Sequence, residues 1–363
     1  MIRNFTLTIR KSLWAGLLFL APPTCDALRA NSGNLFYRYL GNDRYEITLH
    51  YYKACNAGVP YAATYPGSIR AACGTKSFTM TRDSVWDVSQ SCFSQQVCNS
   101  TTALGGSMSI QRYRAIINFR DTLYRQFLGS GCCEMTLNVT LRPRGGQYTS
   151  MSVNGVNLVL EVGLSLCRKA GLTLHNNSSL QLFPWQNQHS QNQPTYQSFR
   201  AIDPVGDSLS YELTPALANG FNISYTSGFR YDYPLSVYCA GVKAPCAANP
   251  NTTQPRGFFL DASTGDLVFE PTSPSEVSAA VVRINEFRRD SSGRYALIGY
   301  SMVEGYIVTR LYINNHPIIS NPVNVSICER ERYCFSTTYS DAKNPGQTAP
   351  DTPVFRYFTN IPN

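Results

Sequence analysis

The strict alternation of apolar and polar residues in short segments is what most limits how this chain can fold. The clearest case is residues 44–52, "RYEITLHYY". One side of an extended chain there carries Tyr45, Ile47, Leu49 and Tyr51, and the other side carries Glu46, Thr48 and His50. A period of two residues is typical of a half-buried β-strand. The "GND" just before it, at residues 41–43, predicts the turn of a hairpin.

Further strand signals recur along the chain at short spacing. They include "MTLNVTLRP", "GVNLVLEVGLSL", "GDLVFEP", "AAVVRINEFRR" and "YSMVEGYIVTRLYI". Clusters of Gly, Pro, Asn and Ser separate them, and a helical period is almost absent. Many short strands with polar turns predict an all-β fold built from β-sandwiches.

The length of 363 residues suits two domains or one large all-β domain. We predict two β-sandwich domains, over residues 31–170 and 196–330. Residues 171–195 are rich in amide side chains and poor in charge, so we predict that they connect the two domains. We expect residues 331–363 to form a linker and one short strand.

The first 30 residues have the pattern of a signal peptide. Arg3 and Arg10 precede the apolar stretch 12–21, which is too short to span a bilayer, and cleavage would follow Ala27 or Ala30. No later stretch reaches the apolar length of a membrane-spanning helix, so we predict no membrane span in the mature chain. The sequence therefore predicts a secreted protein.

The 12 cysteines are many for a reduced cytosolic protein and natural for an oxidising compartment. Three pairs lie close enough in sequence to staple short loops, namely Cys92 with Cys98, Cys239 with Cys246, and Cys328 with Cys334. A zinc site is the alternative use of cysteine. However, the chain lacks a C-x-x-C pair, and the adjacent Cys132 and Cys133 are poorly placed to face one ion. We therefore expect disulfides.

Residues for catalysis or nucleic-acid binding form no recognisable set. There are four histidines, and the H-E-x-x-H, G-x-S-x-G and P-loop motifs are absent. A triad assembled from distant residues would escape this search, because triads are defined by geometry. The net charge of +8 is spread along the chain without a Lys/Arg run. We predict a non-catalytic protein that binds no nucleic acid.

Three aspartates are candidate calcium ligands, and no other cofactor is expected. "DPVGD" places Asp203 and Asp207 four residues apart around a tight turn, and "DASTGD" begins with Asp261. Calcium prefers six to eight oxygen ligands, usually from several carboxylates and carbonyls. The alternative is that these aspartates only stabilise turns, since Asp and Gly are the residues that turns prefer.

Several stretches together resemble large secreted surface proteins of the Bacteroidetes, which often carry domains for gliding motility or type IX secretion. They are "YRYLGNDRYEITLHYYKACNAG", "GSGCCEMTLNV", "FRAIDPVGDSLSYELTPAL", "FFLDASTGDLVFEPT" and "AAVVRINEFRRDSSGRYALIGYSMVEGYIV". They occur in the family's order over about residues 34–328. The second half also resembles PKD and cadherin-like modules, which implies an Ig/cadherin-like second domain. Val205 stands where the family has the middle aspartate of "DPDGD", which removes one oxygen ligand for calcium.

The resemblance implies an exported, cell-surface β-protein in adhesion, gliding or surface assembly, with no catalytic residues. The expected partners are a cell-surface protein, a glycan or further copies of the chain. One alternative is a carbohydrate-binding module or an accessory to a secreted hydrolase. Another is a subunit of an extracellular assembly whose exposed edge accepts a partner strand.

Overall fold

The computed structural model describes twelve stretches of the chain. They are residues 31–54, 62–87, 108–129, 131–144, 148–152, 156–167, 172, 175–181, 188–218, 220–311, 318–320 and 338–340. The predicted signal peptide lies outside them, as do most of residues 331–363. The described residues form strands and one short 3-10 turn, Arg125–Leu128, which confirms the all-β prediction. Among them, no helix is long and apolar enough to cross a membrane.

The first half contains seven strands longer than seven residues. They are β1 (Asn31–Gly41), β2 (Arg44–Ala54), β3 (Thr64–Ala71), β4 (Gly74–Asp87), β5 (Met108–Asn118), β6 (Glu134–Pro143) and β7 (Asn157–Ser165). The hairpin turn between β1 and β2 has left-handed backbone at Asn42 (φ 54°) and Asp43 (φ 56°). These are the angles of a type I′ turn, which matches the twist of two paired strands. The predicted hairpin at "GND" is therefore present.

The strands after β7 are short except for two long ones, β17 and β18. They are β8 (Leu180–Gln181), β9 (Gln188–Ser190), β10 (Thr195–Ser198), β11 (Ala201–Ile202), β12 (Ser208–Leu213), β13 (Leu217–Ala218), β14 (Phe221–Asn222), β15 (Phe259–Leu260), β16 (Asp266–Phe269), β17 (Val277–Arg289), β18 (Tyr295–Arg310), β19 (Ile318–Ser320) and β20 (Thr338–Ser340). β17 and β18 pair as an antiparallel hairpin along almost their whole length.

Eight antiparallel strands close into a ring. Their order is β1, β2, β5, β4, β3, β6, β7 and β18. One edge of β18 pairs with both ends of this series, because residues 299–301 pair with β7 and residues 302–304 pair with β1. The opposite edge of β18 pairs with β17, and β17 pairs in turn with β12. The β17–β18 hairpin therefore belongs to the ring and also extends beyond it.

The two faces of this hairpin pack against two different hydrophobic cores. Ala279, Val281 and Met302 face the first core, which fills the ring with residues from β1 to β7. The second core contains Ala280, Val282, Ile284, Val303 and Ile307 from the hairpin, together with Tyr211, Leu235, Leu267 and Phe269. Strands covered on both faces are buried along nearly continuous runs instead of at alternate positions, as these two are.

The hairpin joins parts of the chain that the sequence assigns to different domains. β17 and β18 lie within residues 196–330, whereas β1 and β7 lie within residues 31–170. The predicted connector also packs against this framework, since Ser178 and Ser179 are buried. The division into two sandwiches and the Ig/cadherin-like character of the second remain predictions.

Disulfides tie together loops that are distant in sequence. Cys73 pairs with Cys132 (Cα atoms 5.5 Å apart), and Cys133 pairs with Cys167 (4.8 Å). The two adjacent cysteines thus bind different partners, one at the β3–β4 turn and one at the end of β7.

The structure also pairs Cys239 with Cys246, their Cα atoms 5.8 Å apart, as the short spacing predicts. The other two predicted pairs, Cys92 with Cys98 and Cys328 with Cys334, lie outside the described residues.

The shared hairpin predicts a coupled response to mutations in either core. Ile284→Ala and Met302→Ala each remove a buried side chain, so each should lower the free energy of unfolding by about 2–5 kcal/mol. We expect both variants to shift the same single thermal transition, followed by circular dichroism and calorimetry. Leu311→Ala, at a position 72% exposed, is the control and should leave the transition in place. Two transitions, each sensitive to only one variant, would contradict the shared hairpin.

Candidate functional site

The "DPVGD" segment forms a tight turn whose aspartates bond to protein groups. Asp203 Oδ1 accepts hydrogen bonds from the backbone amides of Val205 (2.8 Å) and Asp207 (3.1 Å). Gly206 has left-handed backbone (φ 85°), which glycine adopts without steric cost. This is an Asx-type turn, and it leads directly into β12.

Arg288 of β17 occupies both oxygens of Asp207. Its Nε donates to Oδ1 at 2.7 Å and its Nη2 donates to Oδ2 at 2.6 Å. The same Nη2 donates to Asn176 Oδ1 at 2.9 Å. Side-chain exposure is 4% for Asp207 and 15% for Arg288, so the ion pair is largely shielded from water. The guanidinium thus uses the oxygens that a calcium ion would need.

Asp261 stabilises a separate turn. Its Oδ1 accepts hydrogen bonds from the Ser263 hydroxyl (2.6 Å), the Ser263 amide (2.8 Å) and the Thr264 amide (2.9 Å). These bonds, of which the one from the Ser263 hydroxyl contributes most, lower the pKa of Asp261. Within the described stretches, no group of three or more His, Cys, Asp or Glu residues is placed to hold a metal ion. Calcium at Asp203, Asp207 and Asp261 remains a prediction, and each carboxylate has protein partners.

The buried side chain of Glu286 on β17 connects to the "DPVGD" turn through Asn176 and Arg288. Glu286 is 0% exposed. Its Oε2 accepts hydrogen bonds from Asn176 Nδ2 (2.6 Å) and Tyr37 Oη (3.3 Å), and its Oε1 accepts one from the Ser179 amide (2.8 Å). Burial raises the pKa of Glu286 to about 8. Gly299 on the neighbouring strand leaves room for this contact, because a Cβ there would overlap the Tyr37 hydroxyl.

These contacts hold the predicted connector against the strands. Asn176 links Arg288 to Glu286, and Ser178 and Asn177 accept hydrogen bonds from the backbone amides of Tyr37 and Tyr39 (both 2.7 Å). The segment 175–181 is thereby held beside β1. We call this set of contacts the Glu286 network.

The segment 175–181 forms one rim of an open groove of about 530 Å³. Its floor is the face of β1, β2 and β5 that points away from the first core, and Pro204 of the "DPVGD" turn completes the rim. The volume lies in the range of small-ligand sites. We call it the outer groove.

A ladder of alternating charges crosses the floor of the outer groove and continues onto β4. Arg38 and Arg114 donate to opposite oxygens of Glu46, at 3.1 and 3.2 Å. Arg112 donates to Asp83 at 2.9 Å, and Arg114 also pairs with Asp83. Burial opposes ionisation of Asp83, but hydrogen bonds from Arg112 and Ser84 and the arginine charges lower its pKa. Both carboxylates therefore serve to orient guanidinium groups.

Aromatic rings lie beside this charge ladder. The His50 ring meets the Phe36 ring edge-on at 4.9 Å between centroids and the Trp86 ring at 5.4 Å. Burial, followed by the charge of Arg112, lowers the pKa of His50 to about 4. His50 is therefore neutral near pH 7 and contributes an aromatic, hydrogen-bonding surface.

Alternation placed Glu46, Thr48 and His50 on the polar side of β2, and this side forms part of the groove floor. The predicted hairpin at "GND" brings Arg38 of β1 opposite Glu46. No local pattern predicts that Arg112 and Arg114 lie beside them, because β5 reaches β2 only through the long-range strand order. Glu286 and Arg288 did carry a signal. They lie two residues apart, on one side of an extended strand that continues the apolar run of residues 279–282, and polar side chains that follow such a run can make buried polar contacts.

Replacement of Glu286 should change how stability depends on pH. The native pKa of about 8 lies above the ordinary 4.5, so folding favours the protonated form. Stability from this group is complete below about pH 4.5 and is lost as the pH rises through about 8. We expect the melting temperature of the wild type to fall more steeply over this interval than that of Glu286→Gln. Parallel pH profiles for the two proteins would contradict the raised pKa.

Replacement of Asp207 distinguishes the ion pair from a calcium site. Asp207→Asn leaves a largely buried guanidinium without its carboxylate, so we expect a loss of about 1–3 kcal/mol in unfolding free energy. Denaturation in calcium chloride and in EDTA should give the same loss. A calcium-dependent rise in wild-type stability that Asp207→Asn lacks would contradict the ion pair as the main role and establish calcium binding.

Comparisons with known proteins found no match for this chain. No protein-family model matches the sequence, and neither a curated protein nor a solved structure shows significant similarity to it. The functional assignment therefore depends on the outer groove and on the Glu286 network that shapes its rim.

Proposed function

We propose that this is an exported, non-catalytic extracellular protein that acts at the cell surface as a structural or adhesive module. The observation that carries the proposal is the outer groove, with its ordered charge ladder and its aromatic rings. In this proposal the protein serves adhesion, gliding or surface assembly, as in the Bacteroidetes surface proteins that its sequence resembles. The proposal includes an Ig/cadherin-like second half, whose Pro204 forms part of the rim of the groove.

The chemistry of the groove supports binding over catalysis. A general base works best when its pKa lies near the working pH. The pKa of His50 is instead lowered to about 4, and its ring is held between two other aromatic rings. The carboxylates Glu46 and Asp83 are engaged by arginines. These groups are thus fixed as a recognition surface.

The disulfides support export. Two of them join loops 59 and 34 residues apart in sequence, and such bonds persist in oxidising compartments. The closed ring favours the groove over strand addition as the means of contact. The described long strands pair on both sides, while the terminal strands β12 and β14 have six and two residues.

Binding of the purified, labelled protein to whole cells tests this proposal. We expect saturable binding to cell surfaces, measured by flow cytometry with and without EDTA. Phe36→Ala removes a ring from the groove and should weaken binding about tenfold, a loss of roughly 1.4 kcal/mol. Tyr196→Ala, at a position 68% exposed outside the groove, is the matched control and should bind like the wild type. No binding to any cell surface in either condition would overturn the proposal.

A further inference from the structure

The charge that the outer groove presents to solvent is positive. Side-chain exposure is 62% for Arg38, 42% for Arg114 and 38% for Arg112. The carboxylates between them are more shielded, with Glu46 13% and Asp83 24% exposed. The ladder holds three cations and two anions. Because the guanidinium groups are more exposed than the carboxylates, a ligand contacts the guanidinium groups first. Outside the predicted signal peptide, which carries four basic residues and one aspartate, the net charge is +5, and it adds a long-range attraction for anions.

The guanidinium groups are oriented before any ligand arrives. Glu46 is shared by Arg38 and Arg114, and Asp83 is shared by Arg114 and Arg112. A guanidinium carries five N–H donors in a plane. Within the described part of the chain, these ion pairs use one donor each from Arg38 and Arg112 and two from Arg114. The remaining N–H groups can donate hydrogen bonds to carboxylate or sulfate oxygens, and less side-chain freedom is lost on binding.

Two buried amide atoms of the groove lack partners inside the described protein. Asn34 is 6% exposed, and its Oδ1 accepts no hydrogen bond there. The Nε2 of Gln181 on the rim donates none. Both residues line the groove. An unpaired buried polar atom costs about 1–3 kcal/mol, so a ligand that satisfies this acceptor and this donor gains affinity.

We propose that the outer groove binds an acidic glycan. Its carboxylate or sulfate groups meet Arg38, Arg112 and Arg114, and its hydroxyls meet Asn34 and Gln181. A sugar hydroxyl both donates and accepts, which matches one unpaired acceptor and one unpaired donor. The apolar face of a sugar ring packs against Phe36 and the neutral His50. This inference rests on the proposed binding function and names the chemical class of its ligand.

The charge of this site is stable over the neutral pH range. Arginine remains protonated, and hydrogen bonding to Asp83 raises the pKa of Arg112 further. The ionisable groups facing His50 are Arg112 and Asp83, and the pKa of His50 stays at about 4. Affinity should therefore change little between about pH 6 and pH 8 and should fall as salt is added.

Calorimetric titration of the purified protein with defined probes tests the inference. The probes are oligogalacturonate, its neutral methyl ester, dextran sulfate and polyglutamate. We expect oligogalacturonate or dextran sulfate to bind at least tenfold more tightly than the methyl ester, and their order identifies the preferred anion. The double variant Arg38→Gln/Arg114→Gln should lose at least tenfold in affinity. Arg120→Gln removes an arginine of similar exposure (59%), paired with Asp43 outside the groove, and should retain wild-type affinity.

Each of the following titration results would overturn the inference. They are equal binding of the methyl ester, unchanged affinity of the double variant while its melting temperature is normal, and binding of polyglutamate as tight as that of the acidic glycans. The last result would indicate an acidic protein as the partner. Cell binding without any binding of acidic glycans overturns this inference alone, whereas loss of both overturns the proposed function as well.

Discussion

The burial of both faces of the β17–β18 hairpin is the constraint on which the rest of the structure depends. One face completes the core inside the ring and the other face completes the second core. One edge of β18 also pairs with both β1 and β7, the first and last strands of the series that forms the rest of the ring. Burying apolar surface is the main favourable term in folding. Since both cores use the same two strands, neither can form its full contact area without them.

Charged residues within this hairpin determine which segments pack against it. Glu304 of β18 is fully buried and forms a two-point ion pair with Arg144, at 2.7 and 2.6 Å. Glu286 of β17 instead bonds to Asn176 and Ser179 of the predicted connector. A polar or charged side chain without a partner is costly in such surroundings, so each of the two glutamates requires its own partner segment. The Glu286 contact brings residues 175–181 beside β1 and so creates the rim of the outer groove.

Local patterns predicted the strands well, and long-range pairing lay beyond them. The alternation at Tyr45, Ile47 and Leu49 predicts both the strand and its buried side, because side chains two residues apart point to the same face of a strand. The segment "AAVVRINEFRR" of β17 predicts a strand but not the two cores on its faces. The "DPVGD" pattern predicts a turn, whereas Arg288, the partner of Asp207, lies 81 residues away in sequence. No local pattern identifies a partner at that distance, and the outer groove was missed for the same reason.

Native-state hydrogen exchange tests the shared hairpin most directly. Amide exchange measured by mass spectrometry at increasing denaturant gives the free energy of opening for each segment. We predict that β17 and β18 exchange only through global unfolding, and that residues of both cores lose protection together with them. Exchange of the hairpin while the strands of the ring stay protected would contradict the account.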